Sequence, residues 1–477
     1  MSIRHGIAPR RRKALKGFGR IRPDAPLCGL TIIIPVTVSL VLFSLAQALV
    51  EPAFPIRVSR NGRHFEDRNG NPFLIHGDTA WSLAAQLNLD DAAHYLDRRK
   101  SQGFNSVLVN LIERKFSKSP PKNAAGEPPF LVPGDFSTPN EAYFGVVDTL
   151  IEAAGRRNML VFLTPAYLGW RGGEEGWFRE LQTAGPGTLK EYGRYVGRRY
   201  KSLTNIVWVV GGDFTPPLPY RWVVDALADG IREGGGIQLM TAHCGQESPA
   251  NVFGNRRWLD FSNVYSYAGD LYHVTLTEYR RTPAKPFVML ESAYEGEHDS
   301  KPERIRRQAY WSILTGAAGH FYGNNPVWNF DSPVKVFPAD LGWKEALESR
   351  GATDMTQFWK LFRTLKWNDL VPDTAHRFLV AGYGRTRTTQ YATAAITTDG
   401  RLAVIYSSSR GTGELTLNLK RISRPVRGHW YDPTNGRAVP APALSADSTD
   451  RVALPFPGKN HSGDEDWVLV LSAENRP

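Results

Sequence analysis

Short apolar runs alternate with amphipathic stretches between residues 73 and 323. Eight of these runs are nearly continuous in Val, Ile, Leu and aromatic residues, which is typical of strands buried on both faces of a parallel sheet. They are 73–78, 106–111, 160–165, 205–213, 237–242, 261–266, 286–291 and 319–323. The stretches between them, such as 90–99, 144–153 and 191–200, have apolar residues at helical spacing and predict covering helices.

Eight strand–helix units in about 270 residues predict an α/β fold, a (β/α)8 TIM barrel. An open doubly wound sheet is less consistent with the sequence, because no G-x-G-x-x-G follows the first run. Most runs end in a polar or aromatic residue. All strands of a barrel open at their carboxyl ends onto one face, so these residues are predicted to build a site there.

From about residue 377 the pattern changes to short strands with alternating apolar and polar positions. Turn signals such as Asp399-Gly400 and Asn435-Gly436 separate them. This pattern predicts a small antiparallel β-sandwich after the barrel. We place the barrel at 55–372 and the sandwich at 376–474.

The first 48 residues differ from both domains. A basic start precedes the apolar run 27–45, and Ala46-Gln47-Ala48 follows as a cleavage site. These three parts predict a secretory signal peptide over 1–48, and hence a periplasmic or extracellular protein. An uncleaved membrane anchor formed by residues 27–45 is the alternative.

The charge distribution argues against a nucleic-acid partner. The chain carries a net charge of +11, but residues 1–48 contain eight basic residues and one acidic residue, so the remainder carries only +4. Of the two cysteines, Cys28 lies in the signal and Cys244 in the barrel, so a mature chain cannot form an internal disulfide. No metal motif occurs, and we expect a monomer without metal or cofactor.

Two acidic residues end predicted strands in a way that suggests catalysis. Asp213 follows Gly211-Gly212 at the fourth strand, and Glu291 ends the seventh. A charge that closes a buried strand is costly unless it is paired or open to a cleft. Two carboxyl groups flanking one bond are what glycoside hydrolysis uses, and the 13 Trp, 18 Tyr and 23 Phe could supply rings for sugars to stack on.

Further residues at strand ends or on the following loops are candidates for substrate binding. They are Asp78, Trp81, Asn110, Tyr167, Trp170, His243, Tyr265, Tyr267, Tyr294, Asn324 and Trp328. Asp78 could instead cap the following helix, and His243 could be a buried structural histidine. Either Tyr265 or Tyr267 could donate a hydrogen bond to Glu291, and Glu295 is a rival carboxylate.

Four motifs carry a family resemblance. The segments 71–82 (NPFLIHGDTAWS), 100–107 (KSQGFNSV), 211–213 (GGD) and 290–295 (LESAYE) resemble the apiosidase-like catalytic domains of glycoside hydrolase family 140, which are related to the clan A barrels. The segments 430–436 and 466–470 resemble the β-sandwich, named for collagen binding, that commonly follows these barrels. The likeness covers about residues 55–472.

The resemblance implies a retaining glycoside hydrolase in which Asp213 is the acid/base and Glu291 the nucleophile. Such an enzyme would cleave terminal or short-chain glycosides of a plant or bacterial polysaccharide. One loop differs: the chain has Tyr265-Ser-Tyr-Ala-Gly-Asp270 where the family often has Gln-Ser-Gly-His, so the sugar is left open. The alternatives are a non-catalytic carbohydrate-binding barrel and an adhesion protein that acts through its sandwich.

Overall fold

The structure is a computed structural model that describes residues 51–473 apart from 255, 409–412 and 446. The predicted signal peptide, residues 1–48, therefore lies outside the described residues. Among the helices of the described ranges, none is long and apolar enough to cross a membrane.

A small antiparallel sheet precedes the barrel. It consists of β1 (Arg57–Val58), β2 (Phe65–Glu66) and β3 (Pro72–Phe73). Phe65 is fully buried and packs edge-on against Phe261, at the start of a barrel strand, with ring centroids 5.0 Å apart. The small sheet thus covers the amino-terminal end of the barrel, opposite to the face where a site is predicted.

Eight parallel strands form the predicted barrel, which confirms the fold. They are β4 (Ile75–Thr79), β5 (Ser106–Asn110), β6 (Leu160–Thr164), β7 (Ile206–Gly211), β8 (Met240–His243), β9 (Ser262–Ser266), β10 (Phe287–Ser292) and β11 (Gly319–Tyr322). The sheet order is β8-β7-β6-β5-β4-β11-β10-β9. The strand predicted from 237 begins only at Met240, because Ile237 lies in a loop and is 77% exposed.

Side chains join β8 to β9, where the sheet order ends. The hydroxyl of Thr241 donates to the carbonyl of Phe261 at 2.9 Å, and the amide of Asn263 donates to the carbonyl of Ala242. Both side chains are fully buried. These bonds satisfy buried backbone carbonyls at the seam and close the barrel.

Nine α-helices are assigned within the described residues. They are α1 (Leu83–Gln86), α2 (Leu89–Ser101), α3 (Glu141–Arg156), α4 (Phe178–Tyr200), α5 (Trp222–Glu233), α6 (Tyr272–Tyr279), α7 (Pro302–Leu314), α8 (Trp343–Ala346) and α9 (Arg350–Phe362). In α2 the side chain of Asn88 caps the helix by accepting from the amide of Asp91 at 2.8 Å. Acidic residues in its first turn and basic residues in its last complement the helix dipole.

The C-terminal β-sandwich is also confirmed. Its strands are β12 (Leu370–Pro372), β13 (Leu379–Ala381), β14 (Thr393–Thr397), β15 (Leu402–Ser408), β16 (Glu414–Asn418), β17 (Val426–Tyr431), β18 (Ala438–Pro440), β19 (Arg451–Pro455) and β20 (Asp466–Ala473). One sheet has the order β12-β14-β15-β20-β17-β18 and the other β13-β16-β19. The first strand of the larger sheet, β12, lies before residue 376, where the sandwich was predicted to begin.

A buried ionic cluster connects the barrel to the sandwich. Arg306 of α7 is fully buried and makes a bidentate contact to Asp466 of β20, at 2.7 and 2.8 Å. The same guanidinium donates to Asp354 of α9 at 2.6 Å and to Asp464 at 2.8 Å. Tyr406 adds an O–H donor to Asp466 at 2.9 Å. Every carboxylate in the cluster therefore has a partner that offsets its burial.

Replacing Arg306 by Met should leave buried carboxylates without their cation. We expect the free energy of unfolding to fall by about 3–5 kcal/mol, measured by urea denaturation. Arg350→Met is the matched control, because Arg350 contacts the same Asp464 but is 42% exposed, and it should cost about 1 kcal/mol or less. Equal losses in the two variants would contradict a structural role for the buried cluster.

Candidate active site

The carboxyl groups of Asp213 and Glu291 lie together at the carboxyl-terminal face of the barrel. Asp213 follows β7, and Glu291 lies within β10. Their side chains are 15% and 6% exposed. One oxygen of each lies within 4.8 Å of the other and of a ring nitrogen of His243. Two strands that are not neighbours in the sheet thus direct their acids into one small volume.

Gly211 and Gly212 are required by the backbone at the end of β7. Both have positive φ, +101° and +131°, and Asp213 follows at +51°. A Cβ on Gly211 would lie 2.4 Å from the carbonyl oxygen of His243, and one on Gly212 would lie 2.3 Å from the Tyr167 ring. The two glycines therefore allow the turn that aims Asp213 inward and let the neighbouring chain pack closely.

His243 connects the two acids, and its hydrogen bonds define its protonation. Its Nδ1 accepts from the backbone amide of Asp213 at 2.8 Å, so the proton of the neutral ring is on Nε2. Nε2 lies 2.9 Å from Oε2 of Glu291. Burial lowers the pKa of His243, which keeps the ring neutral. The histidine is buried, but its ring contacts the two acids of the site, so it is more than a packing residue of the core.

Each carboxyl group also has a tyrosine neighbour. Tyr167 donates to Oδ2 of Asp213 at 2.6 Å, and Tyr294, which lines the same pocket, lowers the pKa of Glu291. Tyr294 in turn accepts from the indole of Trp81 at 2.8 Å. Tyr265 and Tyr267, the expected donors to Glu291, both line the pocket with ring centroids 5.6 Å apart, and no hydrogen bond from either to Glu291 is found among the described residues.

Burial raises the pKa of both acids. Burial and then the charge of Glu291 raise the pKa of Asp213 to about 7. Burial raises the pKa of Glu291 to about 7 as well. The two carboxyl groups therefore titrate as a coupled pair near neutral pH.

Asp213, His243 and Glu291 are close enough to hold a cation by distance alone. The donor chemistry does not suit one. A metal at Nε2 would move the ring proton to Nδ1, where it would face the amide hydrogen of Asp213. The site thus fits proton chemistry better than metal chemistry.

The acids lie in a pocket of about 860 Å³. Eight predicted substrate-binding residues line it together with Asp213 and Glu291: Trp81, Asn110, Tyr167, Trp170, Tyr265, Tyr267, Tyr294 and Trp328. Trp81, Trp328 and Tyr294 are buried, whereas Trp170 is 52% exposed at the rim and stacks with Arg171. Rings on several sides and acids in the depth suit a sugar, whose faces are apolar and whose edges are polar.

Two predicted binding residues do not reach the pocket. Asp78 is fully buried, accepts from Tyr95 at 2.5 Å and pairs with Arg99 at 2.7 Å, so the prediction that it contacts substrate is wrong. It joins β4 to α2 and does not cap a helix. Asn324 is also buried, and its amide donates to Glu295 at 3.2 Å and to the hydroxyl of Tyr322 at 2.9 Å. Both are structural because the hydrogen-bond and ion-pair partners of their side chains lie within the fold.

The rival acid Glu295 lies outside the pocket. Its carboxylate accepts from Tyr322 at 2.5 Å, Ser349 at 2.7 Å and the amide of Gly351 at 2.9 Å. Sequence reasoning missed Glu297, two positions further on, which is 3% exposed and lines the pocket. It also missed other lining residues on loops, namely Lys115, Phe116, Glu175, Gln246, His298, Arg304, Val334, Lys335, Val336 and Phe337. Loop residues show no periodicity that could have identified them.

Comparisons with known proteins agree with this architecture. The sequence model of the family described as "Apiosidase-like, catalytic domain" matches residues 59–369, and "Putative collagen-binding domain of a collagenase" matches 372–472. A solved structure titled glycoside hydrolase is 24% identical, with 89% of this chain and 98% of that chain covered and a TM-score of 0.76. A glycoside hydrolase family 5 structure from Bacteroides vulgatus is 26% identical, with 88% and 93% covered and a TM-score of 0.75. A comparison with curated protein sequences gives no match.

The buried acids should make stability fall as pH rises. The folded-state pKa of Glu291, about 7, lies above an unfolded value near 4, so between those pH values the folded protein holds more protons and stability decreases with pH. Glu291→Gln should therefore be more stable than the wild type by about 1–3 kcal/mol at pH 8 and by less at pH 5, in urea denaturation.

Glu295→Gln is the contrasting variant, because it removes an acceptor that several donors share. We expect it to be less stable than the wild type at both pH values. A Glu291→Gln protein that is less stable than the wild type at pH 8 would show that burial of this carboxyl is not costly.

Proposed function

Because the chain belongs to the apiosidase-like family of catalytic domains and is a glycosidase, we propose that it hydrolyses glycosides with retention of configuration. In this proposal Glu291 is the nucleophile and Asp213 the general acid/base. The observation that carries it is the closeness of the two carboxyl groups, with oxygens within 4.8 Å. Retaining enzymes keep their carboxyl groups about 5–5.5 Å apart, whereas inverting enzymes separate them by about 6.5–9.5 Å to admit a water.

The first step forms a covalent intermediate. An oxygen of Glu291 attacks the anomeric carbon while Asp213 gives its proton to the glycosidic oxygen, and the leaving alcohol departs. The raised pKa of Asp213, about 7, keeps that proton in place near neutral pH. The Tyr294 hydroxyl stabilises the ionised form of Glu291.

The second step reverses these roles. Asp213, now ionised, takes a proton from a water as that water attacks the anomeric carbon, and the bond to Glu291 breaks. Two inversions give net retention. His243 contributes as a positioning residue, since its ring contacts the Asp213 backbone and the Glu291 carboxyl at once.

The pocket also supports a substrate that enters by its end. Buried Trp81 and Tyr294 form its floor, and Trp170 lies exposed at the rim. A floor closed by rings accommodates a terminal sugar better than an internal one. We propose that the substrate is a terminal or short-chain glycoside of a polysaccharide, and that the enzyme meets it after export by residues 1–48.

Variants of the two acids test the assignment of roles. Asp213→Ala and Glu291→Ala should each lower kcat on aryl glycosides by at least about 10³-fold. Sodium azide should restore turnover in both, because azide fits the space left by the carboxylate and attacks the sugar. Proton NMR should find a glycosyl azide with retained configuration from Asp213→Ala and with inverted configuration from Glu291→Ala.

An inverted glycosyl azide from Asp213→Ala and a retained one from Glu291→Ala would show that the two residues have the opposite roles. Wild-type product with inverted configuration would contradict the retaining mechanism. Near-normal activity in either variant would remove that residue from catalysis. Wild-type enzyme with the same azide concentration controls for direct chemical reaction.

The tyrosine donors predict opposite effects on the width of the pH profile. Loss of the Tyr294 hydroxyl should raise the pKa of Glu291, so Tyr294→Phe should move the acidic limb of kcat/KM to higher pH by about 0.5–1 unit. Loss of the Tyr167 hydroxyl should raise the pKa of Asp213, so Tyr167→Phe should move the basic limb to higher pH. Limbs that do not move, or that shift to lower pH, would contradict these effects of the two tyrosines on the pKa values of the acids.

A further inference from the structure

Glu297 is a third acidic side chain in the pocket that the two-step reaction does not use. It lies on the loop between β10 and α7 and lines the pocket with Asp213 and Glu291. Gly296 before it and His298 after it are exposed, whereas Glu297 is 3% exposed. Glu297 is therefore the buried residue between two exposed ones, and with His298 it lines the pocket.

The loop is anchored so that this orientation is maintained. Backbone bonds tie Glu295 to the segment after β11, with its amide donating to Gly323 and its carbonyl accepting from Asn325, both at 2.9 Å. Its side chain is held on the outer side by Tyr322, Ser349 and Gly351, as described above. Gly296 then turns the chain at a φ of +82°, so the next acid points the other way.

Glu297 differs from the structural acids of this protein in its lack of a cation. Asp78 pairs with Arg99, and Asp466 pairs with Arg306. For Glu297, Trp328 is the neighbour that lowers the pKa of the carboxyl, and no ion pair to Lys, Arg or His is found among the described residues. A carboxyl has about four acceptor positions, so most remain open toward the pocket. Burying such a group without partners is costly, which favours a ligand that completes them.

We propose that Glu297 is a specificity-determining residue that binds hydroxyl groups of a neutral sugar ring held at the reacting bond. This inference rests on the proposed function, since it names the class of sugar for that site. Burial and the two neighbouring acids raise the pKa of Glu297 to about 8, so near neutral pH the carboxyl can both donate and accept. Vicinal hydroxyls of a sugar offer the matching pair of groups.

The same arrangement disfavours an acidic sugar at this position. A uronate carboxylate there would bring a fourth acid close to Asp213, Glu291 and Glu297 in a low-dielectric pocket. The wild type should therefore cleave a neutral aryl glycoside faster than the corresponding aryl uronide. Glu297→Gln keeps the shape and removes the ionisable group, so above about pH 8, where Glu297 is ionised, it should reduce that preference.

Monodeoxy substrates test the contact directly. We expect Glu297→Ala to lower kcat/KM on the preferred 4-nitrophenyl glycoside by about 10- to 100-fold, and one monodeoxy analogue to lose a similar factor with the wild type. The two losses should not add, because the variant and the analogue remove the same hydrogen bonds. Asp299→Asn is the matched control, since it removes a charge from the same loop at an exposed position and should change kcat/KM by less than about threefold.

Additive losses for every monodeoxy analogue, or equal losses in Glu297→Ala and Asp299→Asn, would overturn the inference. Glu297→Gln provides a second variant if Glu297→Ala does not fold. Binding of the same 4-nitrophenyl glycosides to Asp213→Asn, with and without Glu297→Ala, gives a readout that needs no turnover. A wild type that cleaves no glycoside contradicts the proposed function, whereas equal affinity in this pair contradicts the role of Glu297.

Discussion

The site depends on holding two carboxyl groups side by side in a buried volume with no cation to neutralise them. Neither Asp213 nor Glu291 has a Lys or Arg partner among the described residues, and neutral groups stabilise them instead. His243 bonds to the backbone of one and contacts the carboxyl of the other. Such an environment raises the pKa of both carboxyl groups to about 7, so the pair retains protons at higher pH than free carboxyl groups do.

Other buried acids of the chain are, by contrast, paired with a cation. Asp78 and Asp466 are fully buried and each contacts an arginine, so their charges are neutralised within the fold. These pairs connect elements that are distant in sequence. The glycosidase thus pairs the buried acids that connect its elements with arginines and leaves the acids of the pocket without a cation, and it is to the latter that we assign the chemistry.

The sandwich contacts several elements of the barrel, and one of them, helix α7, leads to the pocket. Helix α7 begins directly after the loop that carries Glu297, and its Arg306 bonds to Asp466 of the sandwich and Asp354 of α9. Trp311 of the same helix donates to the carbonyl of Tyr391 at 3.1 Å. Because these contacts with the sandwich hold α7 in place, they also restrain the pocket loop at the point where it joins the helix. The sandwich is thereby connected to the site.

The sequence by itself determined the barrel, the sandwich and the two strand-end acids, because burial patterns and the polarity of parallel strands are local properties. Only the tertiary structure decided which neighbouring polar residues face the sugar pocket. Asp78 lies at the end of a strand as Glu291 does, but its carboxylate pairs with Arg99 and does not face the pocket. Glu295 and Glu297 share one loop and point to opposite sides, because Gly296 and the anchors around it set the direction. Side-chain direction on loops depends on contacts between distant segments, and no local pattern encodes them.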